Sequence, residues 1–212
     1  MTGLFVTLEG GEGAGKTTVS RSLVEKLEAD GISVVYTREP GGNAIAEQIR
    51  EVILSRENTA MDARCEALLY AAARRQHLVD VILPALEAGS VVLCDRFVDS
   101  SVAYQGYARK IGSDLIENIN EFATSGLQAD LTLFLDITPE EGLARIGKDV
   151  AREVNRLDLE SKAFHQSVYE GYQAQIKKYP ERIKIVDASG APNAVVEAAY
   201  RLIRDRMVIC KV

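Results

Sequence analysis

The chain has 212 residues, 47% of them hydrophobic, and a net charge of −6. That length suits one α/β domain with a sizeable core, and the negative charge argues against a broad nucleic-acid surface. No apolar run is long enough to span a bilayer, and no basic segment leads into a long apolar one at the start, so neither a membrane partner nor a signal peptide is expected. Cys65, Cys94 and Cys210 are odd in number and far apart, which fits reduced thiols in a cytoplasmic protein better than a disulfide framework or a zinc site.

The first apolar run, Leu4–Leu8, is followed by Gly10-Gly11-Glu12-Gly13-Ala14-Gly15-Lys16-Thr17-Thr18 and then by a helical pattern through Val19, Leu23, Val24 and Leu27. The order strand, glycine loop, helix and the spacing G-x-x-x-x-G-K-[ST] define a phosphate-binding loop. Glycines let successive N–H groups face one anion, and the helix N-terminus adds positive potential. Lys16 is placed to reach the β- and γ-phosphates, and Thr17 to offer its hydroxyl to Mg²⁺. The motif specifies a nucleoside triphosphate and says nothing about the acceptor.

Four more β-rich runs follow: Ser33–Thr37, Val91–Cys94, Leu131–Leu135 and Ile183–Val186. Helical patterns separate them, so the fold class is α/β, with a five-stranded parallel sheet covered on both faces. The helices are expected over Lys16–Asp30, Asn43–Ser55, Asp62–Glu87 with a kink at Pro84, Ser113–Thr124, Pro139–Ile146, Asn155–Tyr179 and Asn193–Met207. No linker or repeat interrupts them, so residues 1–212 form one domain. Each strand ends in a polar signal, Glu9, Arg38-Glu39, Asp95-Arg96, Asp136 or Asp187, at the carboxyl edge where such sheets bind ligands.

Asp95 closes an apolar strand and is a candidate to help hold Mg²⁺; Asp136 matches the same pattern, and the following Arg96 favours Asp95. Thr37-Arg38-Glu39-Pro40-Gly41-Gly42 puts Arg38 and Glu39 over the sheet edge, although an ordinary turn would look alike. Tyr70 and Arg74 share a helix face and could stack on and hydrogen-bond to a planar base; a core-facing aromatic is the plainer alternative. His77 is expected to cap or be solvated rather than to bind metal. Ser100 to Gly106 could line a small pocket, or simply be a loop leading into a helix. Arg145, Lys148, Arg152 and Arg156 step along one face of a helix, if that helix is continuous, and suggest a closing lid at about 142–157; Asp149 and Glu153 leave a solvated, salt-bridged face as the alternative. Gly142 and Gly147 would give that lid mobility.

Taken together, Glu9–Thr18, Thr37–Gly42, Ala71–His77, Asp95-Arg96-Phe97 and Ser101–Gln105 resemble the bacterial thymidylate kinase family over nearly the whole chain. The resemblance implies the fold of P-loop nucleoside monophosphate kinases with a helical lid, and phosphoryl transfer from ATP to dTMP with Mg²⁺. It implies that Gly10–Thr18 hold ATP, that Arg38 and Arg96 clamp the dTMP phosphate, and that Glu12 lies near the deoxyribose 3′-hydroxyl. Glu39 would belong to the same acceptor site. Tyr70 stands where many members stack a phenylalanine on thymine, Arg74 and Gln105 with Ser101 resemble the groups that read the thymine edge, and Tyr104 the tyrosine that disfavours ribonucleotides. Arg145 is similar to the arginine that packs on adenine, Arg152 to a lid arginine that approaches the phosphates, and residues 187–190 to a segment bordering adenine.

Some family members carry a cation inside the phosphate loop; here positions 11–14 are Gly-Glu-Gly-Ala, which shifts that role to the basic lid. The lid is slightly longer than usual, and Asn155-Arg156 replaces a common Asp-Arg. Lys16, Arg96 and Arg152 would then stabilise the transition state. The family is usually homodimeric, with the helix around Asp62–Leu78 as the contact. Two other possibilities are a kinase for another monophosphate or small metabolite, and a nucleotide-dependent switch, although no Asn-Lys-x-Asp tetrapeptide is present.

Overall fold

The computed structural model describes residues 2–147 and 156–210. Its centre is one sheet of five strands, β1 (Leu4–Glu9), β2 (Val34–Arg38), β3 (Val91–Asp95), β4 (Leu131–Asp136) and β5 (Ile183–Asp187). All pair in parallel, in the order β2-β3-β1-β4-β5. The strands expected from the sequence are all present, each extended at its end by the polar residue that follows the apolar run. β1 sits in the middle, so the chain leaves it toward β2 on one side and later returns to β4 on the other. This reversal opens a crevice beyond the carboxyl ends of β1 and β3.

Period-two alternation divides the core. Leu4, Val6 and Leu8 face helices α1 (Lys16–Ala29) and α9 (Pro192–Cys210), in one cluster with Leu23, Leu27, Ala199 and Ile203. Phe5 faces the opposite layer with Val92, Cys94 and Phe97. Glu9 lies on the Phe5 side of β1 and is fully buried, so this strand end turns inward rather than lining the ligand edge.

Helix α2 (Ala44–Leu54) starts at Asn43, whose side chain accepts from the Ala46 N–H. Helix α3 (Ala63–His77) starts at Asp62 in the same manner. The expected kink before Pro84 is a π-helical turn, Leu78–Ile82, in which the Leu83 N–H donates to the Leu78 carbonyl, five residues back. Pro84, which has no N–H to continue the ladder, then sits in the first turn of α4 (Leu83–Glu87).

Of the two alternatives for Ser100–Gly106, the loop does not hold: α5 (Val98–Ser101) runs into a second π-helical stretch, Val102–Ala108, ahead of α6 (Ser113–Thr124). One helix is corrected. The helix expected over Asn155–Tyr179 is interrupted. Arg156–Leu159 form a 3₁₀ turn, and α8 (Lys162–Lys178) begins afresh at Ser161, whose hydroxyl accepts from the Phe164 N–H.

Candidate active site

The carboxyl edge of the sheet opens into a cavity of about 570 Å³. Seven cations line it, Lys16, Arg21, Arg38, Arg50, Arg74, Arg96 and Arg145, against the carboxylates Glu12, Glu39 and Asp95. An acidic protein thus concentrates positive charge at one place among its described residues, as a polyanionic ligand demands.

One wall of the cavity is the glycine-rich loop between β1 and α1. Gly13, Ala14, Gly15, Lys16, Thr17 and Thr18 border the cavity, with Gly10 and Gly11 just behind. Gly13 and Gly15 have φ of +72° and +84°, a region that a side chain would strain. The Lys16 ammonium donates to the Gly10 and Gly11 carbonyls at 3.1 and 3.0 Å. Burial, then the nearby Arg96, lowers its pKa to about 8, so an anionic phosphate there would stabilise the charged form. A Cβ on Gly142 would meet the Glu12 carbonyl at 2.2 Å, and one on Gly13 the Gly142 carbonyl at 2.1 Å. Gly142, in α7 (Pro139–Ile146), therefore allows this helix to press against the phosphate loop; close approach, not the expected mobility, explains it.

The opposite wall of the cavity comes from β2, α3, β3 and the helical stretch after it. Arg96 adopts φ +71° at the end of β3. Its Nη2 donates to Glu12 at 2.6 Å, and its Nη1 donates to the Gly10 carbonyl at 3.1 Å and to the Ser100 hydroxyl at 3.2 Å. The guanidinium lies over the Tyr104 ring, 5.1 Å from its centre, and the Tyr104 hydroxyl donates to Glu12 at 3.0 Å. Glu12 thereby ties the glycine loop to the opposite wall across more than 80 residues of sequence.

Beneath Arg96, Glu9 accepts from the Phe97 N–H at 2.7 Å, the Ser100 hydroxyl at 2.6 Å and the Tyr172 hydroxyl at 2.9 Å. Burial, then Asp99, raises its pKa to about 7, against the opposing pull of Ser100, Arg96 and the Phe97 N–H.

Arg74 is 2% exposed and almost fully bonded. Its Nε donates to Glu39 at 2.7 Å, Nη1 to the Ser101 hydroxyl at 3.0 Å and to the Asn120 side-chain oxygen, and Nη2 to the Phe97 carbonyl at 3.0 Å. Gln105 donates to Glu66 at 2.8 Å. Tyr70, Ser101 and Gln105 border the cavity with Arg74, and burial raises the Tyr70 pKa. Arg38 is half exposed at the rim and pairs with Glu47 at 2.9 Å. Its neighbours Thr37 and Glu39 point inward, as strand alternation requires.

The two candidate metal carboxylates differ in setting. Asp136 accepts from the Tyr169 hydroxyl at 3.1 Å, whereas Asp95 borders the cavity together with Thr17. Glu39, His77 and Cys94 also bring donor atoms within 4.8 Å of one another. Burial holds the Cys94 thiol far above its usual pKa, and Glu39 already faces Arg74, so this trio offers no thiolate and no unpaired carboxylate. His77 itself is fully buried; it is neither a cap nor solvated.

Of the expected basic strip, Arg145 and Arg156 lie on separate elements. Arg145 lies at the end of α7 and donates to the Ser189 carbonyl at 3.3 Å, which brings it beside the 187–190 segment. Arg156 turns into the core, donating to the Ile53 carbonyl at 2.9 Å and to Glu66 at 2.5 Å. Lys148 and Arg152 lie outside the described residues.

A family model described as thymidylate kinase matches residues 8–199. The chain belongs to the thymidylate kinase family. It is 57% identical to the thymidylate kinase of Bacillus pumilus over 98% of each chain, and 58% identical to that of Halalkalibacterium halodurans over 97% of this chain and 98% of the other. The crystal structure of thymidylate kinase from Ehrlichia chaffeensis superposes with a TM-score of 0.78 at 30% identity, covering 96% of this chain and all of that one. The five-stranded parallel sheet with flanking helices is the P-loop nucleoside monophosphate kinase fold of that family.

Within this family member, the residues in or behind the site that escaped the sequence reading include Arg21, which lines the cavity, Arg50 and Glu66. Arg50 borders the cavity from α2 and donates to the Pro40 carbonyl at 2.7 Å. Glu66 is fully buried and gathers Gln105, Arg109 and Arg156. Its signal was present: Glu66, Tyr70 and Arg74 recur every four residues on one face of α3.

Proposed function

We propose that this chain transfers the γ-phosphoryl group of ATP to dTMP, forming dTDP and ADP. Family membership supports the reaction, and one observation carries its assignment to this site: a single cavity joins the phosphate loop to Arg38, Arg96, Arg74 and Gln105. The acceptor phosphate is already anionic near neutral pH, so no general base is required. Catalysis consists of bringing two anions into line and offsetting their repulsion.

Lys16 takes the β- and γ-phosphates. Arg96, fixed by Glu12, Ser100 and Gly10, takes the acceptor phosphate and faces the transferring group from the other side. Arg38 adds charge at the rim. Tyr70, Arg74, Ser101 and Gln105 accept the base, Glu39 holds Arg74, and Tyr104 with Glu12 borders the sugar. Arg145 and residues 187–190 receive the adenine. Arg152 completes the transition-state charge from the lid. Thr17 and Asp95 supply hard oxygen donors on the cavity wall, which fit Mg²⁺. When bound, the ion neutralises phosphate charge.

The protein acts as a cytoplasmic homodimer, without nucleic-acid or membrane partners. Exposed Ile45 on α2, Leu68 on α3 and Phe122 on α6, the last 89% exposed, support an apolar contact face. Cys65, Cys94 and Cys210 are unpaired thiols, and no helix among the described residues is long and apolar enough to cross a membrane.

ADP release with a panel of acceptors tests the reaction. Activity with dTMP is expected, and activity confined to dTMP and dUMP settles the class. Preference for dCMP, AMP or a sugar refutes the acceptor assignment, and hydrolysis indifferent to all acceptors favours a switch.

A further inference from the structure

Arg74 is only as well placed as the groups behind it. Glu39 receives its Nε with one oxygen, and the other oxygen of Glu39 meets His77 Nδ1 at 2.9 Å. His77 Nε2 meets the Thr37 hydroxyl at 2.6 Å. Thr37, Glu39, Arg74 and His77 are all buried, none more than 7% exposed.

The proton positions follow from chemistry. An ionised carboxylate can only accept, so His77 Nδ1 carries a proton and donates it to Glu39. Neutral imidazole then leaves Nε2 as an acceptor, and the Thr37 hydroxyl donates to it. In this arrangement the buried cluster holds one guanidinium and one carboxylate and is neutral overall, which a charged imidazole would spoil. Every ring nitrogen and both Glu39 oxygens are used. Of the five N–H groups of Arg74, four are consumed by Glu39, Ser101, Asn120 and Phe97, and one Nη2 N–H remains for a ligand in the cavity.

The turn after β2 is built against the same ring. Gly42 has φ +91°, and a Cβ there would lie 2.5 Å from the imidazole and 2.8 Å from the Thr37 hydroxyl oxygen. Gly42 lets the turn cover His77 and hold it against Glu39. The hexapeptide 37–42 thus has two outputs: Arg38 faces the rim, while Thr37, Glu39 and Gly42 serve the imidazole.

We infer that His77, bridging the Thr37 hydroxyl and the Glu39 carboxylate, is a positioning residue that aims the remaining Arg74 N–H at the base of the acceptor nucleotide. This inference rests on the acceptor assignment of Arg74 proposed above. It makes β2 and the end of α3 a specificity device remote from the transferring phosphate.

The test is steady-state kinetics and calorimetric dTMP binding on the full chain, with melting temperatures measured in parallel. His77→Ala is expected to raise KM and Kd for dTMP about tenfold while kcat and KM for ATP stay within about twofold. His77→Asn, whose amide N–H can still approach Glu39 from the Nδ1 position, recovers most of the loss. Should His77→Ala not fold, Thr37→Val provides the second probe, with an expected rise of about threefold in KM for dTMP. In an Arg74→Met background, His77→Ala adds nothing further to the dTMP defect. A lowered melting temperature with dTMP binding unchanged overturns the inference, as do equal losses for both substrates or additivity with Arg74→Met. An Arg74→Met variant with normal dTMP binding overturns the acceptor assignment itself. A defective Arg74→Met beside a normal His77→Ala overturns only the relay.

Discussion

Glu9 gives the site a measurable signature in stability. Its carboxyl is fully buried, and burial with the neighbouring Asp99 raises its pKa from an ordinary 4.5 to about 7. Between those values the folded protein keeps a proton that the unfolded chain has released. Stability therefore falls as pH rises through that window, and the penalty is fully expressed above about pH 7. At 1.36 kcal/mol per pKa unit the penalty is about 3 kcal/mol. Glu9→Gln removes the titration and keeps the shape. Its carbonyl can accept from the Phe97 N–H, and its amide can donate to Ser100 and Tyr172, whose hydroxyls also accept. Urea unfolding of both proteins at intervals from pH 5 to pH 8 gives the comparison, in which unrelated titrations cancel. The variant should gain about 2 kcal/mol relative to the wild type over that range. Parallel stability curves would refute the reasoning, and a gain toward low pH would reverse its sign.

Lys16→Met should lower kcat by at least about a hundredfold, with the melting temperature little changed, because among the described residues the ammonium's hydrogen bonds go to loop carbonyls; near-normal turnover would remove the phosphate-loop assignment. Gly142→Ala pushes a methyl into the Glu12 carbonyl, so it should cost about 2 kcal/mol in chemical denaturation and raise KM for ATP more than KM for dTMP. Glu66→Ala leaves the buried Arg156 without its carboxylate, while Arg109 keeps Glu160, and should lower the melting temperature by about 10 °C, as calorimetry would show. Tyr104→Phe should alter discrimination between dTMP and its ribonucleotide counterpart, measured as a ratio of kcat/KM, and an unchanged ratio would end that assignment.

The sequence made the strands legible because the three central ones are buried on both faces and read as near-continuous apolar runs, while the half-exposed edge strands β2 and β5 are still rich in β-branched residues. It was less informative where the helical ladder changes pitch. Ser100–Gly106 could not be told from a loop in sequence, since its serines, glutamine and glycine lack a 3.6-residue apolar period; neighbours in α6 and α8 hold it helical. Glu9 and His77 were misplaced for a related reason. Both are polar residues that the sequence sends to an edge or surface, and only cross-chain partners, Ser100 and Tyr172 for one and Thr37 and Glu39 for the other, make their burial tolerable.

By itself, the sequence determined the parallel α/β class, the phosphate loop and the set of arginines, because spacing and residue type encode backbone curl and charge directly. Tertiary structure decided which charges work together. Arg96 meets Glu12 from 84 residues away and Arg156 meets Glu66 from 90, so one joins the cavity wall and the other becomes a core anchor. A guanidinium looks the same in sequence in either role; the desolvation and hydrogen-bond partners that separate the two exist only once the chain has folded.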